Sequence, residues 1–334
     1  MKLATYQDGS RDGQLVVVSR DLALAHYATA TATRLQQVLD DWNFLSPQLQ
    51  DLSVALNQGR ARHPFAFDAR QCLAPLPRAY QWAEALAYVN HRVLLRKANG
   101  AETPNRFFAE PLLHQRCSDD LLGPTDSVWF GDVAGAIDFS AGLAVITGDV
   151  AMGASPGQAL DGVRLLMLAN AWRLGSDSTL GPDLPPSLPA GAFSPVAITP
   201  DELGEAWKGG RLHASLLSAC NGKKLGLCET GPEMTFHFGQ LISHLAKTRR
   251  LRAGCIVSTG PVSNADAARG CHSIAEKRAL ETLAHGAPRT GYLVAGDALR
   301  IEMKGRDGLS LFGAIEQQIA GPLINRPEAT AAPA

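Results

Sequence analysis

The stretch Ala136-Ile137-Asp138-Phe139-Ser140-Ala141-Gly142-Leu143-Ala144 sets a carboxylate, a hydroxyl and a glycine at every second position. Read as a strand, it puts Asp138, Ser140 and Gly142 on one face, successive members about 6.6 Å apart. Outward from it, Gly and Pro divide the chain into short strand-length apolar runs with a few helices between them, the pattern of an α+β, β-rich protein. Ser155-Pro156-Gly157-Gln158 is a capping box with Pro at the first helical position, and predicts a helix that carries Leu160, Val163, Leu166 and Met167 inward. Thr199-Pro200-Asp201-Glu202 is a second such box. Residues 211–220 and 223–228 flank Asn221-Gly222, a pair that favours the type I′ turn of a hairpin. A two-residue loop there sets Cys220 opposite Lys223 and Cys228 opposite Ser215, leaving Cys220 and Cys228 too far apart to bridge. Residues 236–247 predict an amphipathic helix, 253–258 a buried strand, and 297–304 with 309–319 a final pair of strands.

Toward the N-terminus, residues 3–6 and 15–19 predict a hairpin around a polar loop. Leu35, Val38, Leu39 and Trp42 share one helical face. A second helix is expected with Ser46 as N-cap, Pro47 at its first position, Leu49, Leu52 and Leu56 inward, and Gly59 as its stop. Pro64, Pro75 and Pro77 mark an extended passage, so the chain divides into a small N-terminal α/β domain (1–77), a larger unit (78–320) and an Ala- and Pro-rich tail (321–334) expected to be disordered. Over 334 residues, 31 basic and 32 acidic side chains leave a net charge of -1, and no run of Lys or Arg exceeds two, as at Arg249-Arg250. That disfavours nucleic acid as a partner. No stretch approaches the roughly 18 apolar residues of a membrane span and residues 1–9 reach a turn before a signal core forms, so a soluble, cytoplasmic protein is expected. The six cysteines (72, 117, 220, 228, 255, 271) lie far apart without a C-x-x-C pair and read as reduced thiols. Cys117, close to His114, reads as an inert thiol rather than a nucleophile.

Several strings in order resemble the fumarylacetoacetate hydrolase family: Ala136-Ile137-Asp138-Phe139, Thr147-Gly148-Asp149-Val150, Ala192-Phe193-Ser194-Pro195, Gly231-Pro232-Glu233-Met234, Gly260-Pro261-Val262-Ser263, Gly296-Asp297-Ala298-Leu299-Arg300-Ile301-Glu302 and Phe312-Gly313. The resemblance covers about residues 1–320. It implies a mixed β-sandwich roll behind the N-terminal domain, usually dimeric. The implied chemistry is cleavage of a carbon-carbon bond in a β-dicarbonyl or acylpyruvate, with relatives that decarboxylate or isomerise. In the family a bound Mg²⁺ or Ca²⁺ chelates the enolate oxygens, as suits a hard cation, and a His-Glu pair activates water.

The resemblance assigns the catalytic pair to His91, seven positions after Glu84, and to Glu276 before Lys277-Arg278. Glu84 keeps a carboxylate where the family usually has Asp. The other metal carboxylates are replaced: two glutamates by Ser140 and Gly142, and an Asp after Asn170 by Ala171. Asp138 is the one nearby carboxylate left to substitute. The resident metal is therefore expected to be lost and no cofactor is assigned. Glu84, Tyr88, His114, Ser140 and Arg173 are expected to contact substrate in a rewritten pocket. There a family Tyr is His114, a family Lys is Leu188, the often small residues after Gln115 are Arg116 and Cys117, and Pro182, Pro185, Pro186 and Pro189 occupy an active-site segment. Two functions stay open. One is a metal-independent enzyme that uses His91 and Glu276 on a reactive β-dicarbonyl or enol, in a hydrolysis, cyclisation, isomerisation or dehydration. The other is a pseudoenzyme that binds ligand or serves as a partner subunit. The expected partners are a small-molecule substrate and a second copy of the chain, or an intact relative in a heteromer.

Overall fold

Strands β1 (Lys2–Tyr6) and β2 (Gln14–Val18) form the expected hairpin, extended by β3 (Leu24–Tyr27). The computed structural model describes residues 1–130, 136–174, 188–305 and 307–321. The expectations for Pro182, Pro185, Pro186 and the tail from residue 322 fall outside them. Helices α1 (Leu35–Asp40) and α2 (Trp42–Asn57) follow, then β4 (Phe65–Ala66). The second unit opens with β5 (Gln81–Ala85), α3 (Val89–Ala98), α4 (Arg106–Ala109) and β6 (Leu113–Arg116). Next come β7 (Ile137–Asp138), β8 (Ala141–Thr147), α5 (Pro156–Asp161), β9 (Val163–Asn170), β10 (Arg173–Leu174), β11 (Ala192–Phe193) and β12 (Val196–Ile198). The chain continues through β13 (Trp207–Lys208), β14 (Arg211–Leu212), β15 (Ser215–Cys220), β16 (Lys223–Glu229), α6 (Phe238–Leu245), β17 (Cys255–Ser258), α7 (Ile274–His285), β18 (Ala298–Lys304) and β19 (Ile315–Gln318).

The fold is α+β and strand-rich. One sheet runs in the order β4-β3-β2-β1-β12-β9-β8-β17-β5-β6, with β11 beside β9, and a four-stranded sheet runs β16-β15-β18-β19. The N-terminal strands thus continue the sheet of the second unit through the β1–β12 pair. All seven residues of β8 are buried because both faces of the large sheet are covered. Its alternation divides two cores: Leu143 and Val145 join Phe139 in one apolar cluster, and Ala144 and Ile146 enter the other. Burying each such branched side chain stabilises by about 1.5–3 kcal/mol. No helix among the described residues is long and apolar enough to cross a membrane.

Three local expectations are corrected. Helix α2 begins at Trp42 rather than after Ser46, because the Phe44 and Leu45 amides already close a turn onto the Asp41 carbonyl. Pro47 then lies inside the helix, which Leu49 and Leu56 anchor in the core. The box at Ser155 forms as expected, but its helix stops at Asp161 and residues 163–170 are strand β9. The apolar spacing read there as helical belongs to a strand buried on both faces, which periodicity alone does not separate from a helix. In the β15–β16 hairpin a bulge between Ser218 and Ala219 shifts the register, so Cys228 faces Leu216 instead of Ser215. Gly226, beside that bulge, has no room for a side chain: a Cβ would lie 2.4 Å from the Cys271 carbonyl oxygen. All six cysteines are free thiols.

His272 lies fully buried between β15 and the start of α7, with Nδ1 2.7 Å from the Ser218 hydroxyl and Nε2 without a hydrogen-bond partner among the described residues. Burial lowers it from an ordinary 6.5 to about 3. Between those values the unfolded chain holds one proton more than the folded one, so stability falls as the pH drops. The slope for one proton is at most about 1.4 kcal/mol per pH unit. Urea unfolding of His272→Asn across that window is expected to show a flatter loss than the wild type, and equal slopes would contradict this assignment.

Candidate active site

Helices α3 and α7 bring their N-terminal turns together. Tyr88 is the N-cap of α3, which makes His91 its third residue, and Ser273 caps α7, which makes Glu276 its third. The His91 Nδ1 stands 2.6 Å from Glu276 Oε2. The other oxygen, Oε1, accepts from the Ser263 hydroxyl at 2.8 Å, and Ser263 in turn accepts from Asn90 Nδ2 at 2.9 Å. The sequence Ser273-Ile274-Ala275-Glu276 has the spacing of a capping box, yet only half of it closes. The Ser273 hydroxyl accepts from the Glu276 amide at 3.1 Å while the carboxylate is diverted to His91. With Nδ1–H donated to that carboxylate, the lone pair of the ring sits on Nε2, which has no hydrogen-bond partner among the described residues. The imidazole is buried but retains 10% side-chain exposure, against 1% for Glu276.

Glu84 lies in the neighbouring strand with no solvent exposure. Strand pairing sets it between Ser258 of β17 and His114 of β6. Its Oε1 accepts from the Ser140 hydroxyl at 3.0 Å and its Oε2 from Arg173 Nη2 at 2.6 Å, with Arg116 Nη1 at 3.7 Å from Oε2. Burial pushes the Glu84 carboxyl up, but Arg173, Arg116, Ser140 and His114 outweigh it and hold it below the usual carboxylate value. Arg116 is equally buried. Its Nη2 donates to the carbonyls of Trp172 at 2.6 Å and Pro189 at 3.0 Å, and its guanidinium lies 5.1 Å from the Trp82 ring centroid. Burial lowers it to about 10, so it stays charged at neutral pH.

Of the expected site residues, His91 and Glu276 meet directly, and Glu84, Ser140 and Arg173 form one cluster with His114 opposite Glu84. Tyr88 does not join them. It is buried in the core, its hydroxyl donates to the Thr230 carbonyl at 2.5 Å, and burial pushes its phenol well up. Asp138 takes three backbone amides, those of Phe139 at 2.8 Å, Ile274 at 2.6 Å and Ala275 at 3.0 Å, and so caps α7 from outside. At Gly142 a Cβ would fall 2.1 Å from the Gly260 carbonyl oxygen, so a glutamate does not fit there. Cys117 is exposed and bound to Asp119, with its thiol pushed up rather than activated. Among the described residues no three His, Cys, Asp or Glu side chains converge to hold a metal ion.

Asn90 and Ser263 were not among the expected site residues, and Arg116 was named only as a change in the rewritten pocket, without a role. Ser263 stood in a quoted string without a role. Arg116 is two residues from His114 on one strand, so alternation already placed the two on one face.

Residues 1–78 match a family model described as Fumarylacetoacetase N-terminal domain 2, and residues 81–320 one described as Fumarylacetoacetate (FAA) hydrolase C-terminal. No curated protein matches the chain. Among solved structures, the chain is similar to maleylpyruvate hydrolase from Sphingobium sp. SYK-6 in complex with manganese(II) ion and pyruvate (16% identity, TM-score 0.64, 96% of this chain and 99% of that one). It is also similar to fumarylacetoacetate hydrolase from Exiguobacterium antarcticum (17%, 0.62, 96% and 100%) and to 5-carboxymethyl-2-hydroxymuconate delta-isomerase from Mycobacterium smegmatis (13%, 0.57, 96% and 98%). At these identities the likeness concerns the fold.

The Glu84 cluster carries a stability prediction. Glu84→Gln keeps the shape but leaves the buried Arg116 guanidinium without its counter-charge, and is expected to destabilise by about 3–5 kcal/mol in denaturant unfolding. Arg173→Ala, which removes a partly solvated partner and leaves Arg116 beside Glu84, is expected to lose less. The reverse order would contradict the assignment of Arg116 as the buried member of the pair.

Proposed function

The chain belongs to the fumarylacetoacetate hydrolase family, whose members include hydrolases and isomerases, and from that premise we propose that it is an acid–base enzyme acting without a resident metal on a small β-dicarbonyl or enol-type molecule. The observation that carries this reading is the 2.6 Å contact of His91 Nδ1 with a Glu276 carboxylate that Ser263 also holds. The carboxylate fixes the ring and its tautomer, and leaves Nε2 to take a proton from an acidic carbon or from water. A positioned side chain of this kind contributes about 10²- to 10⁴-fold. The substrate must therefore be intrinsically reactive, as a carbon acid between two carbonyls is. Hydrolysis, cyclisation, isomerisation and dehydration all begin with such a proton transfer.

The donor set does not fit a hard divalent cation, which takes several oxygen ligands. Both Glu84 oxygens are engaged, one by a hydroxyl and one by guanidinium groups, and Asp138 is bonded to three amides. The proton transfers are therefore left to His91 and Glu276.

Acylpyruvates and other β-dicarbonyls assayed with Mg²⁺ and with EDTA test the reading. Turnover is expected to survive EDTA and to fall by about 10²- to 10⁴-fold in His91→Ala. Glu276→Gln is expected to lower kcat with little change in KM. Turnover that requires Mg²⁺ would overturn the metal-free mechanism. Binding without turnover would favour the pseudoenzyme.

A further inference from the structure

Behind the dyad, Asn90 and Ser263 make hydrogen bonds whose direction the surrounding backbone decides. The fixed point is the peptide carbonyl of Asn264, which can only accept. The Asn90 amide atom 2.9 Å from it must therefore be Nδ2 and not Oδ1. The same Nδ2 lies 2.9 Å from the Ser263 hydroxyl oxygen, and because an amide nitrogen does not accept, the serine oxygen does. A hydroxyl carries one proton. With Asn90 donating to it, Ser263 has that proton left for Glu276 Oε1, 2.8 Å away. The carboxylate thus meets Ser263 as an acceptor, and it meets His91 Nδ1 in the same role at 2.6 Å. One run of donors and acceptors leads from a peptide carbonyl through Asn90, Ser263 and Glu276 to the imidazole, and it leaves the lone pair on Nε2.

The backbone on either side of Ser263 is tied down. The Val262 amide donates to the Ala141 carbonyl of β8 at 3.0 Å. Asn264 makes a two-point contact with the backbone of Glu229 at the end of β16, its Oδ1 accepting from the amide at 2.9 Å and its Nδ2 donating to the carbonyl at 3.0 Å. The Ala265 amide donates to Glu233 at 2.6 Å. Ser263 itself has no solvent exposure, so an unpaired hydroxyl proton there carries the full desolvation penalty of a buried donor. Glu276 has more freedom, since a glutamate at the third position of a helix ordinarily turns back toward its own N-cap. The Ser263 proton is a bond that rewards the outward rotamer, the one that reaches His91.

We propose that Asn90 and Ser263 are positioning residues that fix the direction of the Glu276–His91 hydrogen bond, and with it the imidazole tautomer whose Nε2 is free to take a proton. Neither acts on the reacting atoms. The assignment concerns the direction of a hydrogen bond, and its effect on rate rests on the acid–base reading.

Nitrogen-15 NMR of the full chain with labelled histidine reads the tautomer, the His91 signals being those that His91→Ala removes. The wild type is expected to hold neutral His91 as the Nδ1–H tautomer. Ser263→Ala is expected to move it toward the Nε2–H tautomer that free histidine prefers while unfolding as cooperatively as the wild type, and Ser263→Thr, which keeps the hydroxyl, to leave it unchanged. Asn90→Asp sets an acceptor where Ser263 needs a donor and is expected to act as Ser263→Ala does. On any β-dicarbonyl that is turned over, Ser263→Ala is expected to lower kcat about 10- to 100-fold with KM held within about twofold, and Ser263→Thr to retain the rate. An Nε2–H tautomer in the wild type, or an unchanged tautomer in both Ser263→Ala and Asn90→Asp, would overturn the assignment. Turnover that depends on His91 alongside that unchanged tautomer spares the acid–base reading and sinks the positioning. A tautomer that shifts in a chain turning over no β-dicarbonyl supports the positioning and sinks the reaction.

Discussion

A carboxylate with no solvent exposure has to be met by a counter-charge inside the protein, and Glu84 sets that condition for everything around it. Taking the charge out of water is opposed by several kcal/mol, and two guanidinium groups and a hydroxyl answer it. Arg116 reaches Glu84 because β6 runs antiparallel beside β5, and Arg173 reaches it from the short β10 strand paired with β7. Arg116 is in turn tied to the carbonyls of Trp172 and Pro189, so the ion pair links the edge of the large sheet to the segment after β9. The close passage of Gly142 under the Gly260 carbonyl belongs to the same construction, since a side chain there would part the strands that hold the cluster.

The catalytic candidates depend on a second constraint, the unsatisfied amides at a helix start. Helix α7 leaves donors that Asp138 and Ser273 accept between them. Because those caps suffice, the Glu276 carboxylate is free to turn away from its own helix to His91 and Ser263. A residue that would ordinarily close a capping box becomes the orienting partner of an imidazole on another helix. Asp138, read from the sequence as a spare metal ligand, does its work at one remove by fixing the helix that carries Glu276.

How far this was legible depends on the kind of signal. The box at Ser155, the Asn-Gly hairpin and the strand expected at residues 253–258 are local patterns, and each was readable because its physics lies within a few residues, whereas the Thr199 box does not close: its side chain makes no cap bond to the short 3-10 segment that follows. Asn221 and Gly222 take the positive φ that the turn needs. Residues 163–170 misled because a strand buried on both faces is apolar throughout and imitates a helical period. The register of β15 and β16 misled because the bulge answers the approach of residues 270–271, which are distant in sequence. Within the site, His91 and Glu276 were legible through a spacing and a motif. Tyr88 was expected at the substrate on the same stretch, but its side chain leaves the site for the core.

The sequence by itself determined the strand-rich α+β character and the family, because these depend on residue identity and short spacing. Only the tertiary structure decided what surrounds Glu84 and what orients His91. Glu84 and Arg116 are 32 residues apart, Glu84 and Arg173 are 89 apart, and His91 and Glu276 are 185 apart. No local pattern relates residues at such separations. The charge on Glu84 demanded a partner, and the folding of three strands against one another selected which arginines would supply it.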